Sequence, residues 1–308
     1  IVFTVSDLLQ AQRHNRADHA AIVASEEQLT YGELCHEVSR LAAWLEQKGV
    51  HKGDRVGIYL NKCWQKIAAI LAIARIGGVF VPINARWTTA QLRYIVDDCD
   101  IRILITDSRR LRRLRQDASL SGLREILLIQ DVDCEPPASP WSALPAAAAP
   151  TADKPIDTDL AALLYTSGST GQPKGVMLTH ANIVAGARSV ASYLKNSPED
   201  RVLSVLPMSF DYGLNQLTTI LLVGGTLVLQ PVVIPAEIVK ALNTHKITGL
   251  ALVPPAWIQV ARYLQETGTA VPSLRYITNS GGKIPVPILD LLPHVFRDVD
   301  IYLMYGLT

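Results

Sequence analysis

Apolar positions recur along this chain with two alternating periods. Leu34, Val38, Leu41 and Leu45 are spaced as one face of a helix. Ahead of them Thr30-Tyr31-Gly32-Glu33 reads as a capping box, and Gly49 supplies the stop. Residues 55–60 form a short continuous apolar run, the mark of a buried strand. A helix follows over 61–76, closed by Gly77-Gly78, then a strand over 79–83 and a helix over 88–98. Further strands are predicted at 101–106 and 126–129. The alternation resumes beyond residue 157, with strands near 161–165, 202–205, 226–229, 249–252, 275–278 and 301–305. Helices are predicted between them at 181–193, 214–222, 236–245, 255–265 and 287–292. Strands separated by helices imply right-handed crossovers and mainly parallel sheets.

One stretch breaks the pattern. Residues 131–157 hold six prolines and the run 146–149 of alanines, which reads as a linker. The expected fold class is therefore α/β: two successive lobes with mainly parallel sheets flanked by helices. The first lobe spans 1–130, the linker 131–157, and the second lobe 158–308.

Composition narrows the classes. Hydrophobic residues make up 49% of the 308 and charged residues 19%, so burial can offset the ordering entropy and disorder is excluded. Formal charge is +1, which argues against a dedicated nucleic-acid binder. The apolar stretch 217–234 is interrupted by Gly224, Gly225, Gln230 and Pro231, so no membrane span is expected. The start of the chain lacks a basic segment followed by an apolar one, so no signal peptide is expected. Cys35, Cys63, Cys99 and Cys134 are widely spaced, suggest no metal site, and fit a reduced cytoplasm. The basic cluster 109–115 has Leu111 and Leu114 at helical spacing beneath it, which favours a solvated helix face.

The most informative segment is Tyr165-Thr166-Ser167-Gly168-Ser169-Thr170-Gly171-Gln172-Pro173-Lys174-Gly175-Val176. It follows a predicted strand and concentrates glycines, aliphatic hydroxyls and a lysine. Glycines let backbone N–H groups turn inward into a nest for phosphate oxygens; the hydroxyls add donors and Lys174 a full positive charge. It is neither a Walker A loop nor a dinucleotide fingerprint.

This loop resembles the signature of the adenylate-forming superfamily: acyl-CoA synthetases, firefly-luciferase-like enzymes and peptide-synthetase adenylation domains. Residues 73–84 (IARIGGVFVPIN), Leu206-Pro207-Met208-Ser209-Phe210-Asp211, Ser280-Gly281-Gly282 and Tyr305-Gly306-Leu307-Thr308 resemble further motifs of that family, in order. The resemblance implies an AMP-forming ligase. A carboxylate attacks the α-phosphorus of ATP to give an acyl-adenylate and pyrophosphate, and a thiol, coenzyme A or a carrier pantetheine, then takes the acyl group. It further implies that Thr166, Ser167, Gly168, Ser169, Thr170 and Gly171 close over the β- and γ-phosphates, and that Lys174 neutralises the departing pyrophosphate. Tyr305 would stack on adenine, Thr308 would donate to the α-phosphate, and Gly281 and Gly282 would approach ligand with bare backbone. Lys174 and Thr308 are the expected catalytic residues. Phe210, Asp211 and Ser280 are the expected substrate pocket. His180 reads as structural. ATP, Mg²⁺ and a pantetheine thiol are the expected cofactors. No metal ligand set is visible, magnesium following from the polyphosphate.

Two classes of acid fit. An aspartate after phenylalanine anchors the α-ammonium in peptide-synthetase-like domains, which makes Asp211 a counter-ion and a carrier protein the partner. Against this, Lys283 follows Gly282 where those domains commonly carry glutamate, and Tyr212, Leu214 and the apolar 250–257 suit an acyl chain. An acyl or aryl acid ligase using coenzyme A is narrowly preferred here. A non-catalytic nucleotide-binding scaffold is the alternative from another class. The family continues through a magnesium-binding glutamate, a ribose-binding aspartate and a small C-terminal domain with a catalytic lysine. The chain is accordingly expected to be an N-terminal fragment that by itself forms little acyl-adenylate.

Overall fold

The computed structural model describes residues 2–25, 27–116, 122–147, 154–166 and 172–306. In chain order the elements are α1 (Val5–Gln10), β1 (Ala20–Ala24), β2 (Glu27–Thr30), α2 (Tyr31–Gln47), β3 (Arg55–Ile58), α3 (Trp64–Arg75), β4 (Val79–Pro82), α4 (Thr89–Asp98), β5 (Ile103–Thr106), α5 (Ser108–Gln116), β6 (Glu125–Leu128), β7 (Ala138–Pro140), β8 (Leu160–Thr166) and β9 (Lys174–Thr179). They continue with α6 (His180–Tyr193), β10 (Arg201–Ser204), α7 (Asp211–Val223), β11 (Thr226–Leu229), α8 (Pro235–Thr244), β12 (Gly249–Leu252), α9 (Pro254–Thr267), β13 (Tyr276–Asn279), α10 (Val286–Val295) and β14 (Asp300–Leu303).

The elements form two compact units. The first comprises Ile1–Ala17 and Tyr31–Ala185, the second Asp18–Thr30 and Gly186–Thr308. The first contains a seven-stranded sheet in the order β7-β6-β5-β3-β4-β8-β9, parallel except for the edge pair β8–β9. The second contains a seven-stranded sheet in the order β14-β13-β12-β10-β11-β1-β2, parallel except for the edge pair β1–β2. Each sheet is thus mainly parallel with one antiparallel edge, the α/β class expected.

The helices bury the faces their periodicity marks. Leu34, Val38, Leu41 and Leu45 of α2 are all buried. In α4 the Thr88 hydroxyl accepts from the Gln91 N–H and the Gln91 side chain reaches back to the Thr88 N–H, a complete capping box. In α5 Leu111 and Leu114 are the buried residues, and Arg109, Arg112, Arg113 and Arg115 stand in solvent. The core of the second unit centres on Trp257, fully buried and edge-on to Phe296 at 5.7 Å.

The boundaries differ from the expected 1–130, 131–157 and 158–308. β8 pairs with β4 in parallel and carries β9 with it, so the loop hairpin belongs to the first unit. β1 runs parallel to β11 and places an early hairpin in the second. Within 131–157, β7 extends the first sheet beside β6, and Trp141 packs edge-on to Trp64 at 5.6 Å while its indole N–H donates to Glu37. The Arg40 guanidinium also donates to the carbonyls of Leu144 and Pro145. Periodicity reports which face of a strand is buried but not which sheet it joins, and a three-residue strand is too short to show a period.

Candidate functional site

In the first unit the strand β8 alternates little and is buried along its middle, as a strand covered on both faces should be. Its register with β9 pairs Thr166 with Lys174 and Tyr165 with Gly175. Lys174 is exposed and directly faces Thr166 across the mouth of the hairpin. Ser167, Gly168, Ser169, Thr170 and Gly171 lie outside the described residues. The mouth itself is well fixed. The Tyr165 hydroxyl donates to the Asp98 carboxylate, and burial followed by that carboxylate pushes the phenol above its usual range. The Tyr165 ring lies against Gly175, where a Cβ would stand 3.1 Å from Cζ. The glycine of Pro-Lys-Gly is therefore a seat for an aromatic ring, and Tyr165 is a structural residue of the hairpin.

His180 begins α6 immediately after β9 and is fully buried. The Val5 N–H donates to its Nδ1 at 3.1 Å, so the imidazole proton sits on Nε2, which has no partner among the described residues. Burial pushes its pKa down to about 4, although the carboxylates of Asp159, Asp7 and Asp157 pull the other way. A neutral histidine that ties α1 to the start of α6 is a structural residue, in line with its reading from sequence.

In the second unit the remaining expected residues collect at the carboxyl ends of the parallel strands, where ligands bind in open α/β sheets. Phe210 and Asp211 follow β10, Ser280, Gly281 and Gly282 follow β13, and Tyr305 follows β14. β13 and β14 are neighbours, and the Met304 N–H donates to the Asn279 carbonyl at 2.8 Å. Asp211 is the first residue of α7, half-buried, and its carboxylate has no hydrogen-bonding or ionic partner among the described residues. The positive end of the helix dipole favours a charge there. Gly281 has φ +75°, and a Cβ on it would stand 3.3 Å from Val253 and 3.8 Å from the Phe210 ring. Both conformation and space demand glycine at that position. The Asn279 Nδ2 donates to the Gly282 carbonyl at 2.9 Å and holds the turn. Ser280 is buried; Tyr305 is 95% exposed and so is no core aromatic. Thr308 lies outside the described residues.

Part of α7 walls a pocket to which two features singled out in the sequence contribute, Tyr212 itself and the stretch 250–257 through Ala251. Asn196, Tyr212, Asn215, Gln216, Thr278 and Met304 are among its walls. The Tyr212 hydroxyl and the Thr278 hydroxyl hydrogen-bond to each other, and the Trp257 indole N–H donates to the Thr278 carbonyl at 3.2 Å. Leu206, Tyr212 and Ala251 form a small separate core there, against which Phe210, Val253 and Met304 pack. Gly213 lets α7 begin so close to β10: a Cβ on it would overlap the carbonyl oxygen of Pro207. A glycine inside the first turn of a predicted helix, where it costs about 1 kcal/mol against alanine, is the signal that could have marked this close packing.

Comparison with known proteins follows the same outline. Residues 9–308 match the family described as AMP-binding enzyme. Bacitracin synthase 3 of Bacillus licheniformis is 29% identical over 307 residues, 99% of this chain but 4% of that protein. Tyrocidine synthase 3 of Brevibacillus parabrevis is 31% identical over 309 residues, again 99% of this chain and 4% of that protein. The chain therefore spans a small part of the length of these relatives. Among solved structures, VinN in complex with L-aspartate has a TM-score of 0.83 at 29% identity, over 99% of this chain and 76% of that one. The anthranilate CoA ligase AuaEII in complex with anthranoyl-AMP has a TM-score of 0.92 at 22% identity, over 99% of this chain and 60% of that one. This last likeness concerns the fold.

Proposed function

The chain belongs to the AMP-binding enzyme family of adenylate-forming ligases, and from that premise we propose that it activates an amino acid. The carboxylate of the amino acid attacks the α-phosphorus of ATP, and the aminoacyl group then passes to the pantetheine thiol of a carrier protein. The observation that carries this reading is Asp211. It is a half-buried carboxylate at the carboxyl edge of a parallel sheet, without a partner among the described residues. A substrate ammonium satisfies it. Two of the relatives named above are a bacitracin synthase and a tyrocidine synthase, and one solved relative of comparable identity holds L-aspartate. Both support the same class of acid.

The other parts follow from the family likeness. Thr166, Ser167, Gly168, Ser169, Thr170 and Gly171 hold the β- and γ-phosphates, and Lys174 offsets the charge that develops on pyrophosphate. Such chemistry depends on positioning and charge stabilisation. Tyr305 stacks on adenine, Gly281 and Gly282 bring bare backbone to the ligand, and Thr308 donates to the α-phosphate. Phe210, Asp211 and Ser280 border the acid. Among the described residues no group of three or more His, Cys, Asp or Glu side chains stands close enough to hold a metal ion. They supply no cage for the magnesium that accompanies ATP.

A second reading, an acyl or aryl acid ligase using coenzyme A, is favoured by Lys283 after Gly282 and by the apolar strand β12. The test is pyrophosphate exchange by the full-length protein with α-amino acids and with their deamino analogues. Amino acids are expected to support exchange and the analogues to fail. Asp211→Asn is expected to lower kcat/KM for the amino acid at least ~30-fold, the lower end of the ~2–5 kcal/mol of a broken charge pair. Equal exchange with the deamino acids, or an unaffected Asp211→Asn, contradicts the proposal.

A further inference from the structure

We infer that the amino ends of β3, β5 and β6 carry an anion site, which takes a phosphate-bearing small molecule on the guanidiniums of Arg55, Arg102 and Arg124. The site lies on the edge of the first sheet opposite Thr166 and Lys174. Those two residues stand at the carboxyl end of β8, which runs parallel to the inner strands. The inference is therefore independent of which acid the chain activates.

The strand register brings the three arginines together. Val56 of β3 pairs with Ile103 of β5, and Ile103 pairs with Glu125 of β6. Arg55, Arg102 and Arg124 each directly precede a member of that row. They form the next row, on one face of the sheet at steps of ~4.8 Å. All three line one recess of about 380 Å³. Like charges at that spacing repel. Asp100 offsets part of the repulsion, with Arg102 Nη2 at 2.6 Å and Arg55 Nη2 at 3.5 Å from its carboxylate. It does so from φ +52°, a left-handed conformation that glycine adopts at less cost. Arg55 also donates to the carbonyls of Cys99 at 2.7 Å and Gly53 at 2.9 Å, which fixes its guanidinium. Arg124 is exposed, and its guanidinium has no partner among the described residues.

The other charges at the recess are already committed. Lys48 pairs with Glu125 at 2.9 Å. The Asp54 carboxylate accepts from the His51 backbone N–H at 2.8 Å and closes its own turn. Lys48 and the three arginines thus face only Asp54 and Asp100 on the walls of the recess, and His51 adds its imidazole. An anion completes the row. Phosphate is the class that fits, because the planar fork of a guanidinium matches two phosphate oxygens. Val50, Val56 and Ile103 are buried apolar parts of the wall and suit an organic body attached to the phosphate. The volume falls in the ~300–1,000 Å³ range of small-molecule sites. A formal charge of +1 gives no broad field for a macromolecular polyanion.

The experiment is a calorimetric titration of the full-length protein with phenyl phosphate and with phenol, at low ionic strength, where exposed charges are least screened. Phenyl phosphate is expected to bind with a dissociation constant of about 1 mM or tighter, and phenol to show no binding. Arg124→Gln is expected to weaken phenyl phosphate at least ~10-fold, and Lys174→Ala, at the opposite edge, to change it less than ~2-fold. Absence of saturable binding overturns the inference, as does equal binding of phenol. Binding that survives Arg124→Gln but is lost in Lys174→Ala overturns it too, because the anion then sits at the other edge. So does tight binding of a single-stranded oligonucleotide by a protein that ignores phenyl phosphate. Thermal melting gives a second readout. Arg124→Gln, which removes an exposed like charge, is expected to melt no lower than wild type without added anion. Phenyl phosphate is expected to raise the melting temperature of wild type and not that of the variant; equal rises in both overturn the assignment.

Discussion

Lys174 combines three properties that a phosphate-binding cation needs. It is exposed, it sits at the base of a hairpin fixed by Tyr165 on Gly175, and it faces Thr166 across the strands. Charged hydrogen bonds contribute ~1.5–3 kcal/mol each. Lys174→Ala in the full-length protein is therefore expected to weaken ATP binding ~10–100-fold in a nucleotide titration, with the melting temperature little changed because the side chain is exposed. Unaltered ATP affinity would remove Lys174 from the phosphate site. The grouping behind this proposal was legible in the sequence because glycine, hydroxyl and lysine sit within one short segment. The hydrogen bond from Asn196 to the Tyr276 hydroxyl was not, because the two residues lie far apart in the chain and only the folded sheet brings them together.

The start of α7 depends on a missing Cβ. Gly213→Ala would drive a methyl into the Pro207 carbonyl and displace Phe210 and Asp211 with the first turn. The expected cost is about 3 kcal/mol, at the upper end of overpacking effects, read as a lower urea midpoint at unchanged slope. Gly186→Ala is the control. Its Cβ would stand 3.5 Å from the Asn215 Nδ2, an ordinary contact, so that variant is expected to be neutral or slightly more stable. A Gly213→Ala protein as stable as wild type would show that α7 can start elsewhere.

The junction of α1 with α6 responds to pH with a definite sign. His180 is neutral when folded, its pKa pushed down by burial from 6.5 to about 4. The unfolded chain binds the proton more readily, so this contribution is complete above pH 6.5 and is lost as pH falls toward 4. Between pH 7 and pH 4 wild type is expected to lose about 3 kcal/mol more than His180→Gln, whose amide oxygen can still accept from Val5. Parallel stability profiles for the two proteins would contradict this account of His180. The helices were readable from their periodicity, Leu34 to Leu45 in α2 being the clearest case. The allegiance of β1, β7, β8 and β9 was not, because a strand's partner is chosen by tertiary packing.

Each unit repeats one plan, a seven-stranded mainly parallel sheet closed by an antiparallel edge pair. The formal charge of +1 leaves no overall field to attract a polyanion. In the proposed reading ATP binding therefore depends on local groups, and α5 holds Arg109, Arg112, Arg113 and Arg115 in solvent while burying Leu111 and Leu114. Among the described residues no helix is long and apolar enough to cross a membrane. The family is adenylate-forming, and in the reading proposed above the choice of an amino acid over other carboxylic acids rests on Asp211. The most direct measurement is substrate-dependent exchange of pyrophosphate into ATP by the full-length protein, with amino acids set against aryl and fatty acids. Exchange supported by amino acids and diminished at least ~30-fold in Asp211→Asn is the predicted result. Exchange supported by aryl or fatty acids but by none of the amino acids would contradict it.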